Sequence, residues 1–332
     1  AALITTLVSE EQKNSSISIL GVMIGLGPVL GPSLGGILLS LNVWRFIFWI
    51  NVPFVIIGII CNHYLLNKVS EQTNNQKLDT SGTIVNAIIL ICLLLGLSLL
   101  SKSHLQIISL ILITISLLIG ILFYRIEFNQ KNPLVNVKGL KENPKVISHL
   151  LQTIAFGFAS AMILLLPPFI FEQLYHLGVG VTGFLVLGAP AGLVIFSRVS
   201  GKLNDGSKNI TFSHLGLGII CLSLIFLVFL NPKWSYLFLT FGLFIYGVGG
   251  GYFQPANIAS IMQASPMEMQ GSTGALQRMV QNIAISAGSA VGSTCLNLWP
   301  NNLLLATRIG WGITLVLVIM SLKDMIFSKH NN

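Results

Sequence analysis

A chain of 332 residues that is 53% hydrophobic and only 8% charged, with a mean hydropathy of +0.82, is not an ordinary soluble protein, in which charged residues run near about 25%. The formal net charge of +8 is carried in particular loops, without a basic patch interleaved with aromatics, so the expected partner is the lipid bilayer and not nucleic acid. These properties predict an all-α polytopic membrane protein.

In chain order, Ala1 to Val8 is apolar but far short of the roughly 20 residues a span needs. It lacks an initiator methionine and the features of a signal peptide, and it reads as the end of an apolar segment that begins before Ala1. Ten spans of workable length follow, at about 17–40, 46–66, 82–101, 105–124, 147–170, 181–199, 211–230, 235–262, 273–297 and 303–322. Of the 18 lysines and arginines, Arg45, Lys102, Lys233 and Arg308 fall on one side of that arrangement and the rest on the other. The positive-inside rule then places both chain ends in the cytoplasm of a multi-pass protein.

Within the first span, Gly27, Gly31 and Gly35 recur every fourth residue, with Pro28 and Pro32 directly after the first two. On a helix these glycines form a nearly side-chain-free stripe, which lets a neighbouring backbone approach closely in lipid. The stripe alone fits any close-packed membrane helix. The longer string is more specific: Gly27-x-x-x-Gly31-Pro32-x-x-Gly35-Gly36, a short loop, then Trp44-Arg45-x-Ile47-Phe48-x-Ile50-Asn51-Val52-Pro53. It resembles the antiporter motif in the fifth helix of the fourteen-helix drug:proton antiporters of the major facilitator superfamily. Ser18 stands where that pattern has a further glycine.

The resemblance implies a major facilitator fold in which the spans correspond to helices five to fourteen. Residues 1–66 would be the remainder of an N-terminal helical half, 67–146 two extra central helices with flanking loops, and 147–332 a C-terminal six-helix half. Asp79-Thr80-Ser81-Gly82 reads as a helix N-cap. Gly201-x-Leu203-x-Asp205 is similar to the second-half copy of the superfamily's cytoplasmic loop signature, whose aspartate pairs with basic groups and a helix N-terminus. Gly206 replaces the usual basic residue after it.

Polar residues inside spans are costly and usually face the bundle interior or a water-filled cavity, so they are the candidates for a substrate pathway. Gln254 and Asn257 sit three apart beside a glycine run, Gly247-x-Gly249-Gly250-Gly251, which reads as flexible. Gln277, Arg278, Gln281 and Asn282 have helical spacing in the next span, beside a small-residue stripe of Ala284, Gly288 and Gly292. Interhelical hydrogen bonding accounts for such groups equally well.

Catalytic, nucleotide-binding and metal-binding motifs do not occur, and the four cysteines sit singly in separate apolar runs. The chain therefore does not read as an enzyme, nor as a carrier of ATP, metal or an organic cofactor. The six histidines fall at span ends or loops, where a wet imidazole is expected, and all ten acidic residues do likewise, so no carboxylate stands at mid-membrane. The resemblance implies export of a drug-like or lipophilic small molecule, driven by the proton gradient, through alternating access in a complete protein. The proton-carrying residues would then lie in earlier helices. The other reading is a truncated, non-transporting membrane protein or the remnant of a disrupted transporter gene.

Overall fold

A computed structural model describes residues 43, 45–66, 79–129 and 137–328, with isolated positions at 8, 12, 16, 19 and 38. Of the expected antiporter motif, Ser18, Gly27, Gly31, Pro32, Gly35 and Gly36 lie outside the described residues, while Arg45 is described and exposed, at the entry to a short helical turn.

The described residues are helical, without a strand among them. In order the helices are α1 (Phe46–Trp49), α2 (Asn51–Leu66), α3 (Thr80–Leu100), α4 (Gln106–Asn129), α5 (Val137–Lys141), α6 (Pro144–Phe169), α7 (Val179–Leu185), α8 (Gly188–Leu203), α9 (Asn209–Val228), α10 (Tyr236–Ala264), α11 (Gln270–Leu298) and α12 (Leu303–Ser328). Among the described residues, 7 stretches are long and apolar enough to cross a membrane, and α2 is a shorter apolar helix. α11 is as long as α10, at 29 residues, but its glutamines, asparagines and arginine make it too polar to be recognised by hydropathy. It is held by neighbours, packed chiefly along α6.

The cap expected at Asp79 is in place, and Asn143 supplies one that the sequence reading did not single out. Asp79 caps α3, its Oδ1 accepting from Gly82 N at 2.8 Å and from Ser81 Oγ at 2.8 Å. Asn143 caps α6 by accepting from Val146 N at 3.3 Å, and its Nδ2 donates to the Ala264 carbonyl at 2.5 Å. One cap thus ties the start of α6 to the end of α10. Pro144 follows at the first helical position, where a missing N–H costs nothing.

The span expected at 181–199 is two pieces, α7 and α8, separated at Val186 and Leu187. Pro190 gives the physical reason: it has no N–H to offer the Val186 carbonyl, and its ring crowds that oxygen. The helix closes with Leu187 N donating to Phe184 O at 3.2 Å and restarts with Ala191 N donating to Leu187 O at 2.9 Å. α6 behaves differently, carrying Pro167 and Pro168 inside the helix and ending in a π-helical turn at Ile170–Leu174.

The core lies among α6, α8, α9, α10 and α12, where Met162, Leu166, Leu217, Leu224, Leu243 and Trp311 are fully buried. α10 is its central member, with α8 on one side and α9 on the other. Both approaches run over glycine. A Cβ on Gly192 would stand 2.5 Å from the Phe244 carbonyl oxygen, and one on Gly249 would stand 2.7 Å from the Gly216 carbonyl oxygen. The run Gly247–Gly251 is therefore not a flexible hinge, as its composition suggests, but an uninterrupted stretch of α10 whose missing side chains admit the neighbouring backbones.

This packing predicts a sharp contrast between glycines. Gly192→Ala should cost about 1–3 kcal/mol by overpacking. Gly218→Ala on α9, where a Cβ meets open space, should stay within about 1 kcal/mol of the parent. Thermal melting of the two purified variants measures the difference, and equal melting temperatures would contradict this account of the interface.

Candidate functional site

α6, α8, α10 and α11 enclose a cavity of about 240 Å³, just under the roughly 300–1,000 Å³ of common small-molecule sites. Apolar walls come from Phe156, Ile163, Leu164, Leu193 and Ile285. Polar groups come from Ser160 on α6, Tyr246 and Gln254 on α10, and Arg278, Gln281 and Asn282 on α11. Positions 278, 281, 282 and 285 advance by three, one and three residues, so one face of α11 supplies a continuous strip of the wall.

The cavity is ordered on its α6 and α10 side. The Phe156 and Tyr246 rings lie nearly parallel, with centroids 6.2 Å apart and an interplanar angle of 3°. The Tyr246 hydroxyl hydrogen-bonds Ser160 Oγ at 2.9 Å, which in turn donates to the Phe156 carbonyl at 2.8 Å. Phe253 packs on Phe156 from behind, with centroids 5.0 Å apart. The rings are thereby fixed by both stacking and hydrogen bonding.

On the α11 side, Gln281 Oε1 accepts from Gln277 Nε2 at 3.3 Å and from Arg278 Nη1 at 3.4 Å. Gln277 is buried and does not line the cavity. It is a supporting residue that holds Gln281, contrary to the expectation that it faces a pathway itself. Among the described residues, Gln254 and Asn282 make no side-chain hydrogen bond, which leaves their amides available to a solute.

Asn257 also departs from expectation. Although three residues from Gln254, it is 1% exposed and turned toward α6, where its Nδ2 donates to Thr153 Oγ1 at 2.8 Å and to the His149 carbonyl at 3.3 Å. Its Oδ1 lies 3.2 Å from His149 Nδ1, as does Gln152 Oε1. Two acceptor oxygens on one ring nitrogen place the proton on Nδ1. Ser213 Oγ on α9 donates to the same Gln152 oxygen at 3.2 Å. This network joins α6, α9 and α10, and sequence reading missed it. His149 falls near the start of its span and reads as wet, but α6 begins at Pro144 and carries the imidazole one turn inward, to 7% exposure. The legible signal is the spacing of His149, Gln152 and Thr153, which puts three polar side chains on one helix face.

Glu127 lies at a span end, in the last turn of α4, and what the sequence did not show is its burial, to 2% exposure. Its Oε1 approaches Gly82 in the capping turn that Asp79 closes, so two carboxylates far apart in sequence meet at one end of the α3–α4 hairpin.

Gly201 and Leu203 close α8, and Leu203 is exposed. Asp205 forms its own turn, its Oδ1 accepting from Ser207 N at 3.1 Å and from Ser207 Oγ at 2.7 Å. These bonds hold its carboxyl below the usual carboxylate range, so the turn is intact at neutral pH and is lost as pH falls through that lowered value. Among the described residues Asp205 does not reach a neighbouring helix, in contrast to the latch that the resemblance implies. The tie across helices comes from Asn209 Nδ2 donating to Gln263 Oε1 at 3.1 Å, with Gln263 Nε2 donating to the Gly206 carbonyl at 3.3 Å. Arg308 is similarly held, Nη2 donating to the Leu230 carbonyl at 2.9 Å.

Stability separates the two polar sets. Asn257→Ala strands buried partners and should cost about 1–3 kcal/mol, whereas Asn282→Ala should leave the melting temperature within about one degree of the parent. Thermal melting in detergent checks both, and a stable Asn257→Ala protein would contradict the structural assignment.

Comparison with known proteins agrees with this architecture. A sequence model of the Major Facilitator Superfamily matches residues 1–289. The chain is 26% identical over 294 residues to the riboflavin transporter RibZ of Clostridioides difficile, covering 88% of this chain and 63% of that protein. It is 23% identical over 309 residues to multidrug resistance protein 3 of Bacillus subtilis, covering 91% and 59%. With the uncharacterized transporter YebQ of Escherichia coli it shares 22% identity over 302 residues, covering 91% and 66%. The chain thus spans less than two thirds of the length of these relatives. A multi-pass helical architecture and a family match over most of its length place the chain in the Major Facilitator Superfamily, among transporters and not among enzymes.

Proposed function

We propose that this chain forms part of a cell-membrane exporter of drug-like or lipophilic small molecules, with its C-terminus cytoplasmic and the proton gradient as its energy source. The observation that carries the reading is the cavity between α6, α8, α10 and α11. In a chain of this superfamily, it gathers an arginine, three amides and two hydroxyls onto otherwise apolar walls. Two relatives point the same way at the level of their names, one a multidrug resistance protein and one a riboflavin transporter.

In this reading Gln254, Gln281 and Asn282 meet the polar atoms of a solute while Phe156 and Tyr246 meet its apolar body. Alternating access then requires the walls to move as units, and the backbone contacts at Gly192 and Gly249 make α8, α9 and α10 such a unit. The stripe of Gly27, Gly31 and Gly35 with Pro32 and Gly36 serves close helix packing that limits leak, and Gly201, Leu203 and Asp205 sit at the cytoplasmic end. Proton carriage is assigned to earlier helices, where the resemblance places the coupling residues, and Arg278, always charged, does not replace a carboxylate carrier.

Gradient-driven movement of fluorescein and rhodamine 6G in vesicles of native membrane tests the reading. At least one dye should move with an imposed proton gradient and stop when a protonophore collapses it. Gly31→Leu should abolish that movement while membrane abundance stays unchanged. Dye movement indifferent to the gradient, or none at all, would refute proton-coupled export.

A further inference from the structure

We infer that the cavity selects solutes carrying a negative charge on a flat aromatic body, with Arg278 as the residue that reads the charge. The inference deepens the export reading and rests on this cavity being the solute site. Among the described lining residues Arg278 supplies the only formal charge, and no aspartate or glutamate accompanies it there. A guanidinium carries five N–H donors, yet the one hydrogen bond Arg278 makes among the described residues is the 3.4 Å contact with Gln281. A half-buried cation at the edge of an apolar space, with most of its donors unused, favours an anion and repels a cation, and low polarity strengthens both effects.

The surrounding groups fit the same solute. Gln281 turns its oxygen to Arg278 and Gln277, so the acceptor nearest the guanidinium is already engaged. Asn282 and Gln254 keep donors for oxygens farther along the solute. Tyr246 and Phe156, held nearly parallel to each other, give the cavity an aromatic wall, against which a planar body can pack. A carboxylate or sulfonate received by the fork of Arg278 would gain paired, charge-assisted hydrogen bonds.

Fluorescein and rhodamine 6G share a xanthene body but differ in charge, the first anionic and the second cationic at neutral pH. Their binding to the purified protein is measured by fluorescence anisotropy, with protein-free micelles subtracted. Fluorescein should bind at least about tenfold more tightly than rhodamine 6G. Arg278→Gln should weaken fluorescein at least about tenfold, equivalent to about 1.4 kcal/mol, and leave rhodamine 6G within about twofold. Gln281→Glu places a carboxylate against Arg278 without removing the guanidinium, and it should narrow or reverse the preference even if Arg278→Gln fails to fold. Tighter binding of rhodamine 6G, no binding of either dye, or fluorescein binding indifferent to both variants would overturn the inference. Binding as predicted without gradient-driven movement would leave the inference standing and refute the export reading alone.

Discussion

The close approach of α8 and α9 to the two sides of α10 is the constraint on which the rest depends. Helices in a bilayer gain little from hydrophobic burial against one another, because lipid tails are as apolar as leucine, so they associate through packing and interhelical hydrogen bonds. Here packing reaches the backbone itself: a Cβ on Gly251 would stand 2.6 Å from Ser197 N, and one on Gly216 would stand 2.5 Å from Phe253 N. Glycine on both faces of one helix lets three helices share a single seam. Once that seam is fixed, Gly250, Gln254 and Tyr246 have only one direction left to face, toward α6 and the cavity.

The same constraint divides the polar residues into two sets with different roles. Where α6 and α10 meet in direct contact near the capped start of α6, the polar groups must satisfy each other, and His149, Gln152, Thr153, Asn257 and Ser213 do so. Farther along, α6 and α10 leave space that α8 and α11 complete, and there Gln254, Arg278 and Asn282 face an open volume. Buried pairing stabilises the bundle, while unpaired donors on an accessible wall provide recognition. Both sets contain amides on the same helix, Gln254 and Asn257, and only their direction separates them.

That direction is what the sequence could not convey. Most of the helices were legible from runs of apolar residues, and the start of α3 from Asp79, because these signals are local. The break between α7 and α8 was legible in principle from Pro190 but is hidden in a continuously apolar window. The roles of Gly247–Gly251, His149 and Glu127 were not legible, since each depends on partners on another helix, far away in sequence. Gln254, Arg278, Gln281 and Asn282 stood out in the sequence because amides and an arginine are rare inside spans, whereas the hydroxyls of Ser160 and Tyr246 beside them did not. Gln277 and Asn257 were grouped with them wrongly because helical spacing alone does not tell a packed face from an open one.

The most direct test of the central claim is solute protection of a single cysteine at position 282. In a background with Cys61, Cys92, Cys221 and Cys295 replaced by serine, a thiol at Asn282 should react with a membrane-impermeant maleimide, and saturating fluorescein should slow that reaction severalfold. A thiol at Leu222, which is 64% exposed on the far side of α9, should respond to neither reagent nor solute in the bilayer. If position 282 is unreactive, or reacts at a rate that fluorescein leaves unchanged, the cavity is not the solute site and the account fails at its centre.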